Sequence, residues 1–139
     1  MSSQPEKDLN RQMVYVIDDE LNLRAALLNF FESVQIEAVG FGSAQEFVSE
    51  VDGESAGCIL LDIQMPGMTG LELQAELSNR GNPMPIIFIT GNGSVSVSVS
   101  AMKAGALDFL LKPFNSQAVV DAIARAMEVD RQSRAKRAE

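Results

Sequence analysis

The chain has 139 residues, 46% of them apolar, which is room for one domain with a real core and not for a second. Nineteen Asp and Glu against eleven Lys and Arg give a net charge of -8, the wrong sign for tracking a phosphate backbone or an anionic membrane, so no direct contact with nucleic acid or membrane is expected. Histidine is missing altogether, which excludes imidazole bases, histidine zinc ligands and Ser-His or Cys-His nucleophiles, and leaves carboxylates, hydroxyls and lysine to carry any chemistry.

Residues 1–12 are polar, have no apolar signal core, and read as a flexible N-terminal segment. The first strand is the β-branched run Val14 to Ile17, closed by Asp18-Asp19-Glu20. A helical stripe of Leu23, Leu27, Phe30, Phe31 and Val34 follows, and Ile36 to Phe41 fits a weaker edge strand. Ser43-x-x-Glu46 reads as a capping box ahead of Phe47, Val48 and Val51, and Asp52-Gly53 as a turn. Cys58 to Leu61 is a buried strand ending at Asp62; its lone cysteine cannot form an internal disulfide and suits a reducing, cytoplasmic compartment.

After the Pro66-Gly67 turn, Thr69-x-x-Glu72 makes a second capping box before Leu73 and Leu77, and Gly81-Asn82-Pro83 ends that helix. Ile86 to Ile89 is the next strand, with Thr90 at its end. Ser94 to Ser100 alternates serine and valine, a strand signal by period. Val95, Val99 and Met102 nevertheless match a helical stripe, and a strand would break the alternation of elements, so a weak helix is expected. Phe109 to Leu111 is the last strand, followed by Lys112-Pro113 and a helix striped by Val119, Val120, Ile123 and Met127.

The chain then changes character: residues 1–120 hold six basic and fifteen acidic residues, residues 121–139 five and four. A flexible segment (1–12), one domain (13–129) and the start of a C-terminal helical linker (130–139) are expected, although a frayed terminus fits the same composition.

Strand and helix thus alternate five times, the signature of a doubly wound α/β fold with a parallel sheet, whose ligand site lies at the carboxyl ends of the strands. Asp18, Asp19, Glu20, Asp62, Thr90 and Lys112 would all meet there. Any one of them alone is more simply a cap or loop residue. Together they form a problem, because carboxylates 4 Å apart repel by about 4 kcal/mol at an effective dielectric near 20. A hard divalent ion with oxygen ligands resolves it, and Mg2+ fits a site with no thiolate or imidazole to offer. The parts then suit phosphoryl transfer, with Asp62, alone on the central strand, as the best nucleophile and an acyl phosphate as the product.

At these positions the chain resembles the receiver domains of bacterial two-component response regulators. The resemblance runs from about Val14 to Met127 and rests on Asp18-Asp19, on Leu61-Asp62-Ile63-Gln64-Met65-Pro66-Gly67-Met68-Thr69-Gly70, on Thr90-Gly91, and on Ala104 through Lys112-Pro113-Phe114. It implies a flavodoxin-like (βα)5 fold with a five-stranded sheet of order 2-1-3-4-5. It also implies that Asp62 is the phosphoacceptor, that Asp18, Asp19 and the Gln64 carbonyl join it in holding Mg2+, and that Thr90 and Lys112 contact the phosphoryl group. Phe109 falls at the aromatic switch position that acts with Thr90, although periodicity alone makes it core. Gln64 and Asn92 fall where the family tunes dephosphorylation, Lys112-Pro113 resembles the family's cis peptide, and Glu20 reads as a helix-start residue.

The resemblance further implies a sensor histidine kinase as phosphodonor, a homodimer on phosphorylation, and a chain that is no enzyme beyond assisting its own phosphorylation and dephosphorylation. Arg131 to Glu139 and the Met-Pro-Gly-Met wording are most similar to FixJ-like regulators. A LuxR-type DNA-binding domain acting in transcription control would then lie outside these residues. A stand-alone receiver that docks to proteins is the alternative. An FMN-binding flavodoxin shares the fold, but Asp18-Asp19-Glu20 would repel its phosphate; a dehalogenase-type hydrolase needs an Asp-x-Asp element and a cap, and neither is present.

Overall fold

The computed structural model describes residues 11–91, 95–113 and 115–138. Five strands and five helices alternate: β1 (Met13–Ile17), α1 (Leu21–Ser33), β2 (Ala38–Phe41), α2 (Ala44–Glu50), β3 (Gly57–Asp62), α3 (Gly70–Asn79), β4 (Ile86–Thr90), α4 (Val95–Lys103), β5 (Asp108–Leu111) and α5 (Ser116–Ala138). All pairings are parallel and the order is β2-β1-β3-β4-β5, so the sheet reverses its winding between β1 and β3.

Continuous apolar runs are what such a sheet needs, because both faces are covered. Along β3, Ile59 and Leu61 enter one core with Phe47 of α2, Leu73 and Leu77 of α3 and Ala101 of α4. Cys58 and Leu60 enter the other, with Leu27 and Phe31 of α1 and Val119, Ile123 and Ala126 of α5. All six residues of β3 are buried.

Three expectations need correction in detail. The edge strand starts at Ala38 and not at Ile36, because Ile36 is used to end α1. Its N–H bonds the Phe31 carbonyl, and that of Gln35, held at φ 63°, bonds Glu32, a paired closure that normally takes glycine at the left-handed position. Val34 and Val51, counted in helical stripes, are the residues that cap α1 and α2. Thr69 and Glu72 form a full capping box, but at α2 only Ser43 plays its part: Glu46 bonds the Gly42 N–H instead of that of Ser43.

The Ser/Val segment is helical from Val95, while Ser94 lies outside the described residues. The face it buries is not the one its stripe suggested. Ala101 is fully buried and Val97 packs on the core, whereas Val99 and Met102 are exposed. The buried Gln74 side chain of α3 donates to the Ala101 carbonyl at 3.0 Å, tying this weak helix to its neighbour.

The last helix is capped by Asn115, whose side chain accepts from the Ala118 N–H at 2.7 Å, and it continues without a break past Met127 to Ala138. Among the described residues no helix is long and apolar enough to cross a membrane.

Candidate functional site

The parallel register delivers the polar strand ends to one edge. Ile17 pairs with Leu61, so Asp18 emerges beside Asp62; Asp62 pairs with Ile89, so Thr90 follows at the next step. Thr90 pairs with Leu111, and its carbonyl accepts from the Lys112 N–H at 2.8 Å. The Lys112-Pro113 peptide is cis.

Local chemistry sets the carboxylates. Asp18 is fully buried, and its Oδ1 accepts the Glu20 N–H at 2.9 Å, turning the chain into α1. Glu20 is the N-cap residue of that helix but its side chain makes no cap bond. Asp62 Oδ1 accepts the Gln64 N–H at 3.1 Å. Gly70 lets α3 start close behind it: a Cβ there would stand 2.4 Å from the Asp62 carbonyl oxygen, and the Gly70 N–H bonds the Ile63 carbonyl.

One oxygen each from Asp18, Asp19 and Asp62 lies within 4.8 Å of the others. The Lys112 ammonium sits among the acids, 3.7 Å from Asp18 Oδ2, 3.9 Å from Asp62 Oδ2 and 3.8 Å from Glu20 Oε1, too far for a hydrogen bond to any. Asp18 Oδ2 is buried without a hydrogen-bond partner among the described residues. Burial first, and the neighbouring Asp18 charge second, push the Asp62 carboxyl up to about 7, against the pull of Lys112 and the Gln64 N–H. One lysine is therefore not enough positive charge for this edge. An all-oxygen donor set with an unpartnered buried carboxylate oxygen fits a hard divalent cation such as Mg2+.

The sequence-derived residues Asp18, Asp19, Glu20, Asp62 and Lys112 are brought together. Thr90 lies buried at the same edge, and Phe109 sits half-buried beside Phe88 on the adjoining strand, two residues below it. The Gln64 side chain is exposed at the rim. Asn92 and Phe114 lie outside the described residues. Sequence reasoning passed over Arg24, which reads as a surface residue of α1 but whose Nη1 donates to the Asp18 carbonyl at 2.6 Å; the signal that could have found it is Gly40, a glycine inside a strand where α1 approaches closely.

Residues 14–124 match the family model described as the response regulator receiver domain. Nodulation protein W of Bradyrhizobium diazoefficiens is 44% identical over 124 residues, 89% of this chain and 55% of that protein. Response regulator protein TodT of Pseudomonas putida is 38% identical over 122 residues, 88% of this chain and 54% of its own length. The chain thus spans about half the length of the curated relatives it matches. Among solved structures, response regulator StyR superposes with a TM-score of 0.87 at 40% identity, covering 91% of this chain and 64% of that one. FixJ-N does so with a TM-score of 0.76 at 35% identity, covering 84% and 94%.

Proposed function

The chain belongs to the response regulator receiver domain family, and on that premise we propose that Asp62 is the residue that takes the phosphoryl group, with Asp18, Asp19, Lys112 and Thr90 completing the site. A carboxylate oxygen of Asp62 attacks the phosphorus of a phosphohistidine on a sensor histidine kinase. The phosphorus–nitrogen bond breaks, and the imidazole leaves with the electron pair and takes up a proton. Asp18, Asp19 and Asp62, with the main-chain carbonyl of Gln64, would hold Mg2+, which when bound neutralises charge on the acidic edge and on the transferred oxygens.

The chain's own groups do the positioning. Lys112, poised between three carboxylates and bonded to none, is free to swing onto a phosphoryl oxygen. Thr90 offers a hydroxyl donor from the end of β4. Moving Thr90 inward makes room for Phe109 to turn toward the core, and this biases α4 and β5, the segment with the weakest intrinsic helix preference. The chain is then a switch that assists its own phosphorylation and dephosphorylation, and not an enzyme acting on a metabolite.

In the whole protein, residues 13–129 act as the receiver and 130–139 begin a connector. We place it in the cytoplasm, with a LuxR-type DNA-binding module as the output and a homodimer as the phosphorylated form. The observation that carries the reading is the buried Asp18 oxygen left without a donor, 3.7 Å from Lys112 and beside a carboxyl whose ionised form is disfavoured. Incubation with Mg2+ and acetyl phosphate, followed by intact mass measurement, tests it. One added phosphoryl group is expected, lost in Asp62→Asn; a label that survives that substitution overturns the assignment.

A further inference from the structure

We infer that Arg24 is a positioning residue of the acidic edge, holding the Asp18-Asp19 step in the geometry that aims both carboxylates at Asp62. The inference rests on the reading of that edge given above. Arg24 closes the first turn of α1, its N–H bonding the Glu20 carbonyl, and its Nη1 donates to the main-chain carbonyl of Asp18 at 2.6 Å. The β1–β2 ladder ends there: the Asp18 N–H still bonds the Phe41 carbonyl, and on its other side the residue is held by the guanidinium. A charged donor on a half-buried carbonyl is among the stronger hydrogen bonds a chain can make.

One glycine marks how closely Arg24 approaches the strand. Gly40 is not in the left-handed region, so its backbone does not require glycine. A Cβ there would lie 3.0 Å from Cγ and Cδ of Arg24 and equally close to Cδ1 of Leu28, whereas one at Gly42 would meet the Arg24 Nη1 at 3.5 Å, an ordinary contact. At Gly40 the strand leaves room for α1 to lay Arg24 and Leu28 against it.

The charge points the same way. With Asp62 ionised, Asp18, Asp19, Glu20 and Asp62 carry four negative charges at this edge, while Lys112 and Arg24 supply two positive ones. That leaves an imbalance a single divalent cation would remove. The hydrogen bond from Arg24 goes to the backbone of the edge, so the arginine would set the shape of the site from behind.

The test is a Mg2+ titration of the 139-residue chain followed by backbone amide NMR without any phosphodonor, beside the Mg2+ dependence of phosphorylation by acetyl phosphate and the thermal midpoint. Arg24→Ala is expected to weaken Mg2+ binding about tenfold, the low end for groups that orient metal ligands. Arg24→Lys, which keeps the charge and one donor, should recover part of it. Gly40→Ala should weaken binding in the wild-type background and have a smaller effect in Arg24→Ala, where only the contact with Leu28 is left. If Arg24→Ala does not fold, Arg24→Lys and Gly40→Ala make the same comparison. Unchanged Mg2+ affinity with a lowered midpoint would overturn the role of Arg24 and leave the site reading standing. No Mg2+ binding by the wild type would overturn both.

Discussion

Both ends of β3 hold buried aspartates, one at its start and two at its far end, and the two ends treat them in opposite ways. At the start of the strand, Asp130 of α5, only 2% exposed, has its Oδ2 bonded by the Gly57 N–H and by the Gln12 side-chain amide, each at 3.0 Å, with Arg134 3.8 Å away. At the far end, Asp18 and Asp62 are buried with one main-chain donor each, an unpartnered oxygen and a lysine out of bonding range. Burial alone does not separate these carboxylates. The difference is satisfaction: Asp130 Oδ2 has two hydrogen-bond donors, whereas Asp18 Oδ2 has none among the described residues.

Substitution should break this comparison most sharply. Asp130→Ala leaves the buried Gly57 N–H without an acceptor and takes one of two acceptors from the Gln12 amide, which keeps the Met127 carbonyl, so a loss of about 1–3 kcal/mol is expected in urea unfolding, with phosphorylation by acetyl phosphate intact. Asp62→Asn should do the reverse, abolishing phosphorylation while leaving metal-free stability equal or higher at neutral pH. A destabilisation by Asp62→Asn as large as that by Asp130→Ala would refute the contrast.

A pH series sharpens it. The Asp62 carboxyl is raised from its ordinary 3.8 to about 7, so between these values the folded state binds more protons at this group than the unfolded state. Its contribution is fully present below about pH 4 and is lost as pH rises through 7. Without Mg2+, the stability difference between wild type and Asp62→Asn should therefore turn against the wild type across that window, read as urea midpoints at successive pH values. Saturating Mg2+ should erase the trend.

A smaller effect reports on the Asp130 end. Burial, helped by the charge on Asp130, pushes the Cys58 thiol up to about 12, so the native thiol should react with a thiol reagent far more slowly than in urea. Asp130→Ala should speed the native reaction, because it loosens the start of the strand that carries Cys58. The smallest effect concerns α4: Val99→Ser should shift the thermal midpoint by an amount equivalent to no more than about 0.5 kcal/mol, whereas Ala101→Leu overpacks the core and should cost about 1–3 kcal/mol.

Most of the fold was legible because both faces of the sheet are covered, which turns β1, β3 and β4 into unbroken apolar words such as Val14 to Ile17 and Ile86 to Ile89. The site was legible for a related reason: parallel strands put their ends together, so Asp18, Asp62, Thr90 and Lys112 needed only to be read as strand ends. Termini made by geometry were less visible. Gln35 takes a left-handed turn with no glycine to announce it, and this moved the start of β2. On α4, serine and valine repeat so evenly that either of two faces could have been buried, and only the packing of Val97 and Ala101 decides. Arg24 was hidden because its partner is a main-chain carbonyl, which has no letter in the sequence.

The unbroken α5 has a consequence for whatever is joined to it. A helix of 23 residues is about 35 Å long, and its last turns continue past the clamp at Asp130 as one rod. Each residue turns such a rod by about 100°. A module attached beyond it therefore has a fixed phase relative to the sheet: inserting one residue points it sideways, and inserting four nearly restores its heading while moving it about 6 Å farther out. Spacing along this helix acts as an angular setting as well as a distance.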